Sequence, residues 1–215
     1  MTLASALDLA LLRPREAELE LDRVDCEEDI LKFLQRGWRT IDPSPFRGGW
    51  HLEAIGEHLA AVTMGEIKRL VINVPPRMTK SSLVSVAWPA WTWGQREILP
   101  LSGPHVQFLF ASYAQSLSER DSVKTRRLIQ SPWYQKLWGD RFQMTGDQNA
   151  KRRFENNHGG YRLATSVGGS LTGEGGHIIV VDDPHNTIEI ESEAQRESTV
   201  QWRSEEHTSE LQSQR

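Results

Sequence analysis

Leu70-Val-Ile-Asn-Val-Pro-Pro-Arg-Met-Thr-Lys-Ser-Ser82 is the stretch on which the fold turns. A β-branched run, Arg69 to Val74, reads as a short strand, and Pro75-Pro76 stop it because proline donates nothing to a ladder. From Lys80 the pattern becomes helical, with Val84, Ala87, Trp88 and Trp91 spaced i, i+3, i+4, i+7 and Pro89 expected to kink or shorten the helix. Strand, tight loop, Lys-Ser and helix is the order a phosphate site requires. Backbone N–H groups converge at a helix amino terminus, a lysine reaches the outer phosphates, and a hydroxyl meets magnesium. Lys80 and Ser81 fill the last two roles. Arg77 adds a guanidinium that can grip phosphate oxygens bidentately. The strict G-x-x-x-x-G-K-[ST] pattern is not met, because Val74 and Thr79 stand at its glycines. The donors would come from Arg77, Met78, Thr79, Lys80, Ser81 and Ser82, with Pro76 in the loop but without an N–H. Alone, the segment is equally well a strand–turn–helix with a chance Lys-Ser.

Further along, His177-Ile-Ile-Val-Val-Asp-Asp183 is an apolar strand ending in two adjacent carboxylates. In a nucleotide hydrolase the first holds the magnesium shell and the second orients the attacking water. Asp182 and Asp183 fit those roles, and a buried strand capped by a polar turn is the plain alternative. The two elements in this order reinforce each other. A rival metal set, His177, Asp182, Asp183 and His185, is disfavoured because strand alternation points His177 and Asp182 to opposite faces.

Around these anchors the chain alternates strands and helices. The first forty residues read as helical, with Ile30, Leu31 and Leu34 forming a stripe, and Leu52, Ile55, Leu59 and Val62 mark a second amphipathic helix after the Asp42–Gly49 loop. His105 to Ala111 reads as a strand and Tyr113 to Gln130 as a long helix. Phe154–Asn156 and Tyr161–Ala164 read as a hairpin about Asn157–Gly160. The expectation is an α/β fold with a mainly parallel central sheet flanked by helices. The domain division expected is a helical segment over 1–40 and an α/β domain carrying both motifs over 41–202.

Composition sets outer limits. The chain has 215 residues, 38% hydrophobic and 25% charged, which suffices for a core and excludes a disordered chain. No apolar run reaches the roughly 20 residues that span a bilayer. The single cysteine, Cys26, excludes an internal disulfide framework and a multi-cysteine zinc site. A net charge of −4 does not announce a nucleic-acid binder. Lys124, Arg126 and Arg127, and Lys151, Arg152 and Arg153, are basic runs that could meet DNA phosphates or serve as solvated faces. Eight tryptophans suggest core and interface aromatics.

The strings INVPPRMTKSSLVSVAWPAW, SYAQSLSERDSVKTRRLI and GGYRLATSVGGSLTGEGGHIIVVDDPHN together resemble the ATPase domain of phage terminase large subunits, over about Leu34 to Trp202. The resemblance implies a P-loop NTPase of the RecA-like (ASCE) class, incomplete at its carboxyl end, that binds ATP and Mg2+. Under it, Lys80 is the phosphate lysine, Ser81 and Asp182 hold magnesium, Asp183 is the catalytic carboxylate, and Arg77 senses or stabilises the γ-phosphate. Phe46, Trp50 and His51 fall where such motors hold adenine. Gly168–Gly176 is a loop, a second anion nest or a nucleotide-responsive element. Implied partners are double-stranded DNA, a small terminase subunit, a portal protein and further copies in a ring, in the host cytoplasm and without a membrane. The implied carboxyl-terminal nuclease is not among these residues. A helicase-like ATPase and a non-hydrolysing interaction domain are the competing readings. Finally, RSEEHTSELQS, Arg203 to Ser213, resembles the translation of a sequencing-library adapter, so 203–215 is expected to be a non-native tail.

Overall fold

A computed structural model describes residues 14–169, 175–184 and 197. Two helices, α1 (Pro14–Glu28) and α2 (Ile30–Ile41), open the described chain. Asp29 separates them as N-cap, its carboxylate accepting from the Leu31 and Lys32 amides. The α2 stripe of Ile30, Leu31, Phe33 and Leu34 is buried as its period requires. Helix α3 (Trp50–Thr63) buries Leu52, Ile55 and Leu59. These helices share one apolar core with Val84, Trp88, Phe108 and Ile178, so the residues before and after position 40 pack as a unit.

Beyond the site loop, a helix starts at Lys80, winds as a π-helical segment over Ser82–Ala87, and continues as α4 (Trp88–Gly94). The expected kink at Pro89 is thus replaced by a wider turn. Proline lacks the N–H that would bond the Ser85 carbonyl, and its ring crowds that carbonyl. The chain instead closes an i→i+5 bond from the Trp88 amide to Leu83. Val84, Ala87, Trp88 and Trp91 are all buried.

The sheet contains β1 (Phe108–Ser112), β2 (Met144–Asn149), β3 (Arg153–Asn156), β4 (Tyr161–Ser166) and β5 (Ile178–Val181), in the order β2-β3-β4-β1-β5. Helices α5 (Gln115–Ile129) and α6 (Pro132–Trp138) lie between β1 and β2 in sequence. β1 is parallel to β4 and to β5, with Phe108 opposite both Arg162 and Ile178. β2–β3 and β3–β4 are antiparallel. The sheet is therefore mixed, which corrects the expectation of a mainly parallel one: the predicted hairpin about Gly159, itself left-handed at φ 76°, adds an antiparallel half.

A second correction concerns Arg69–Val74, which makes no ladder with any described residue. Leu70, Ile72 and Val74 pack on the core while Val71 is 83% exposed. The β-branched run does alternate between core and solvent, but the backbone pairing that would make it a strand is a separate matter. β2, polar and interrupted by Gly146, carries no strand propensity and was not anticipated, nor was the short α6.

Among the tryptophans, Trp38, Trp88, Trp91, Trp93 and Trp138 are buried. Each of these five places its indole N–H on an acceptor, on Ser44 O, Thr63 Oγ1, Cys26 O, Val106 O and Glu27 Oε1 respectively. Buried indoles are tolerated on that condition.

Candidate functional site

Backbone geometry singles out the loop before Lys80. Arg77 and Thr79 both have φ of 65°, and Asp183 has φ of 47°. Left-handed backbone is a glycine conformation, and a β-branched side chain there is strained. Thr79 stands at the second glycine position of the strict phosphate-loop pattern and takes a backbone conformation ordinarily left to glycine. Thr79→Gly is accordingly expected to stabilise the chain by about 0.5–1 kcal/mol, strain relief of about 1–2 exceeding the entropy glycine loses. A rise in the thermal midpoint measures it; a fall would show that the threonine is anchored by its side chain.

After the loop, Lys80, Ser81 and Ser82 form the first helical turn, where amide N–H groups have no intrahelical acceptor. Leu83 N already bonds Thr79 O at 3.1 Å. Pro76, Arg77 and Met78 are exposed, and the Met78 carbonyl lies 3.2 Å from His51 Nε2, joining the loop to the start of α3. Of the aromatics considered beside the loop, Trp50 is 79% exposed and stacks edge-on to His51, whereas Phe46 packs on Trp38. Arg77 makes no ion pair among the described residues.

The parallel β1–β5 pairing brings the two acids to this loop. The ladder runs on past β5, with Asp182 N bonding Ala111 O at 2.9 Å and Tyr113 N bonding Asp183 O at 3.1 Å. Lys80 Nζ then lies 2.9 Å from Asp182 Oδ1 and 2.8 Å from Asp183 Oδ1. The second Asp182 oxygen accepts from Ser85 Oγ at 3.1 Å. Burial works against the Lys80 charge, but the hydrogen bonds to Asp183 and Asp182 outweigh it and raise its pKa above the usual lysine range. A cation whose pKa rises on folding adds stability that is complete below the unfolded value and lost as pH climbs past the folded one. Wild type and Lys80→Met should therefore differ in thermal midpoint at neutral pH and converge as the pH climbs past the raised folded-state value of Lys80. A gap that persists at the alkaline end would remove the ion pairs as its cause.

A cavity of about 30 Å³ lies behind these carboxylates, lined by Ser81, Ser85, Asp121, Arg162, Asp182 and Asp183 among others. Ser81 and the two terminal acids are among the residues the sequence motifs single out, whereas Ser85, Asp121 and Arg162 are not. Asp121 is in fact 5% exposed and pairs with Arg120 at 3.0 Å. Nothing in a helix sequence SERDS marks which acid turns inward. For Arg162, the signal was an arginine inside the apolar half of a predicted hairpin.

Other candidates separate from the site. His177 precedes β5, at the end opposite Asp182, and its Nδ1 accepts from Gln107 N at 3.0 Å. The rival metal set is therefore not assembled, and its His185 lies outside the described residues. So do 170–174 of the glycine-rich loop, the 203–215 tail and the chain before residue 14. In the second basic run, Arg153 is engaged with Glu155 at 2.6 Å and sits over Tyr161, leaving Lys151 and Arg152 exposed.

Magnesium asks for hard oxygen donors, usually one or two from protein with the rest from phosphate and water. Ser81 and Asp182 offer a hydroxyl and a carboxylate to the same cavity. Among the described residues there is no group of three His, Cys, Asp or Glu able to hold a metal by itself. That donor set suits a cation shared with a phosphate and does not suit a closed protein cage.

Fold and site together define a mixed α/β protein with a strained basic loop facing two acids at a sheet end. No family model matches the chain, and no curated protein matches it. Among the described residues no helix is long and apolar enough to cross a membrane.

Proposed function

We propose that the chain is the ATP-hydrolysing motor domain of a phage terminase large subunit, a P-loop NTPase driving DNA into a prohead. The observation that carries the reading is the contact of Lys80 with both Asp182 and Asp183 across the left-handed loop. Two motifs with separate sequence signals meet at one point, which supports a phosphoryl-transfer reading. The strings that resemble terminases add the motor to the ATPase.

In this reading the Lys80 ammonium exchanges its carboxylate partners for the outer phosphate oxygens. Arg77, exposed on the loop, closes over the γ-phosphate. Ser81 and Asp182 hold Mg2+, which when bound supplies charge neutralisation. Asp183, freed from Lys80, accepts a proton from the attacking water and orients it. Pro76, Met78, Thr79 and Ser82 complete the loop that surrounds the phosphates. The motor reading carries with it double-stranded DNA as track, a small terminase subunit, a portal protein and a ring of copies, acting in the host cytoplasm.

Asp183→Asn tests the chemistry. Its amide is isosteric and cannot take the proton, so Mg-ATP turnover should fall by about 10²–10⁴-fold while binding of a fluorescent ATP analogue persists. Turnover equal to wild type would remove Asp183 from the reaction. Analogue binding by wild type without any turnover would assign a non-hydrolysing domain instead.

A further inference from the structure

Arg162 is the least expected side chain of the molecule. It lies on β4, is 0% exposed, and has its guanidinium carbon 4.1 Å from the centre of the Phe110 ring. One nitrogen, Nη2, donates to the Ser85 carbonyl at 3.0 Å. Its Nε and Nη1 have no partner among the described residues. Burial pushes its pKa down to about 9, Asp121 opposing the shift, so it remains a cation at neutral pH. A buried arginine with unspent donors is costly, and an apolar side chain of similar volume would serve the sheet as well or better. Stability therefore does not account for it.

Its single acceptor does. The Ser85 carbonyl is the one that an α-helical path would pair with residue 89, where proline has no N–H to offer. Two side chains donate to it: Arg162 from β4, and Thr125 Oγ1 from α5 at 3.3 Å. The same Ser85 presents its hydroxyl to Asp182 Oδ2 at 3.1 Å. Arg162 also lines the cavity that Asp121, Asp182 and Asp183 share. Three carboxylates line the same cavity of about 30 Å³, and Arg162 reaches one of them, Asp182, by way of Ser85.

We propose that Arg162 is a positioning residue for Asp182: it holds the Ser85 peptide within the π turn, and thereby fixes the hydroxyl that holds the carboxylate. The use made of Asp182 rests on the nucleotide-site reading above; the mechanical link does not. Arg162 acts through Ser85.

The Lys80 ammonium reports where Asp182 sits, because Asp182 Oδ1 is one of its two partners. Its ¹⁵N–¹H resonance in the nucleotide-free 215-residue chain, assigned by its loss in Lys80→Arg, is the readout. Arg162→Met and Ser85→Ala should each displace that resonance to a common new position. The double variant should move it no further, since both substitutions cut one path. Arg162→Lys, which keeps the charge and a donor, should restore most of the wild-type position. A resonance unmoved by Arg162→Met, or displacements that add in the double variant, would overturn the proposal. Should Arg162→Met not fold, Arg162→Lys with and without Ser85→Ala makes the same comparison. Titrating the same samples with a fluorescent Mg-ATP analogue keeps the two readings apart. A responsive Lys80 signal without nucleotide binding sinks the ATPase reading alone. Intact nucleotide binding with an indifferent Lys80 signal sinks this one alone.

Discussion

Lys80→Ala should lower Mg-ATP turnover by at least about a hundredfold, to the level of a blank, the range seen when one preorganised donor to a developing charge is removed. The reasoning starts from what the side chain does without nucleotide. It is the one cation, among the described residues, in ion-pair contact with both Asp182 and Asp183. Its position in the first turn after a left-handed Thr79 gives it a fixed base, and its length lets one ammonium serve either acids or phosphate. Alanine removes the phosphate contact and also leaves two neighbouring carboxylates with no cation between them. Lys80→Arg separates the two losses. It keeps a charge near the acids but replaces a compact point donor with a planar fork, so folding should be retained while turnover stays low. Full activity in Lys80→Ala would end the phosphate-lysine assignment outright.

The largest stability effect is expected far from the loop. Trp93→Ala should destabilise the chain by about 3–5 kcal/mol, a large part of the stability of an ordinary domain. Trp93 is fully buried, donates to Val106 O at 2.8 Å, and meets Phe142 and Phe154 edge-to-face with ring centres 5.6 and 5.7 Å away. It thus ties α4 to the segment entering β1 and to the antiparallel half of the sheet. Truncation leaves a ring-sized void and an unpaired carbonyl together. Chemical denaturation monitored by far-UV circular dichroism measures the loss. A shift below about 1 kcal/mol would mean that the core closes over the gap.

What could be read from the chain beforehand divides along physical lines. Ile30, Leu31, Leu34, Leu52, Ile55 and Leu59 were legible because one helix period puts them on one face, and a face is local information. β5 and its two acids were legible for a similar reason, as an apolar run ended by charge. Arg69–Val74 shows the limit of that kind of reading. Its alternate residues do face the core, but a ladder depends on a partner elsewhere in the chain. β2 fails in the opposite sense: Met144-Thr-Gly-Asp-Gln-Asn149 becomes a strand because β3 lies beside it, against its own composition. The site divides in the same way. Lys80, Ser81, Asp182 and Asp183 belong to local motifs and were named. Ser85, Asp121 and Arg162 belong to it only because β4, α5 and the π turn converge, which no spacing along one segment records.

The wide turn at Ser82–Ala87 also has a genetic consequence. A single π turn amounts to one residue more than the α path between the same end points. Loss of one codon within that segment, other than that of Ser85, would keep the facing of Lys80 at one end and the tryptophans of α4 at the other, at the cost of returning the Pro89 ring to the carbonyl four residues before it. The same loss between Trp88 and Gly94 would swing every later side chain by about 100° and unseat Trp91 and Trp93. The helix therefore tolerates a change of length at one place only, and that place is the stretch that presents Ser85 to Asp182.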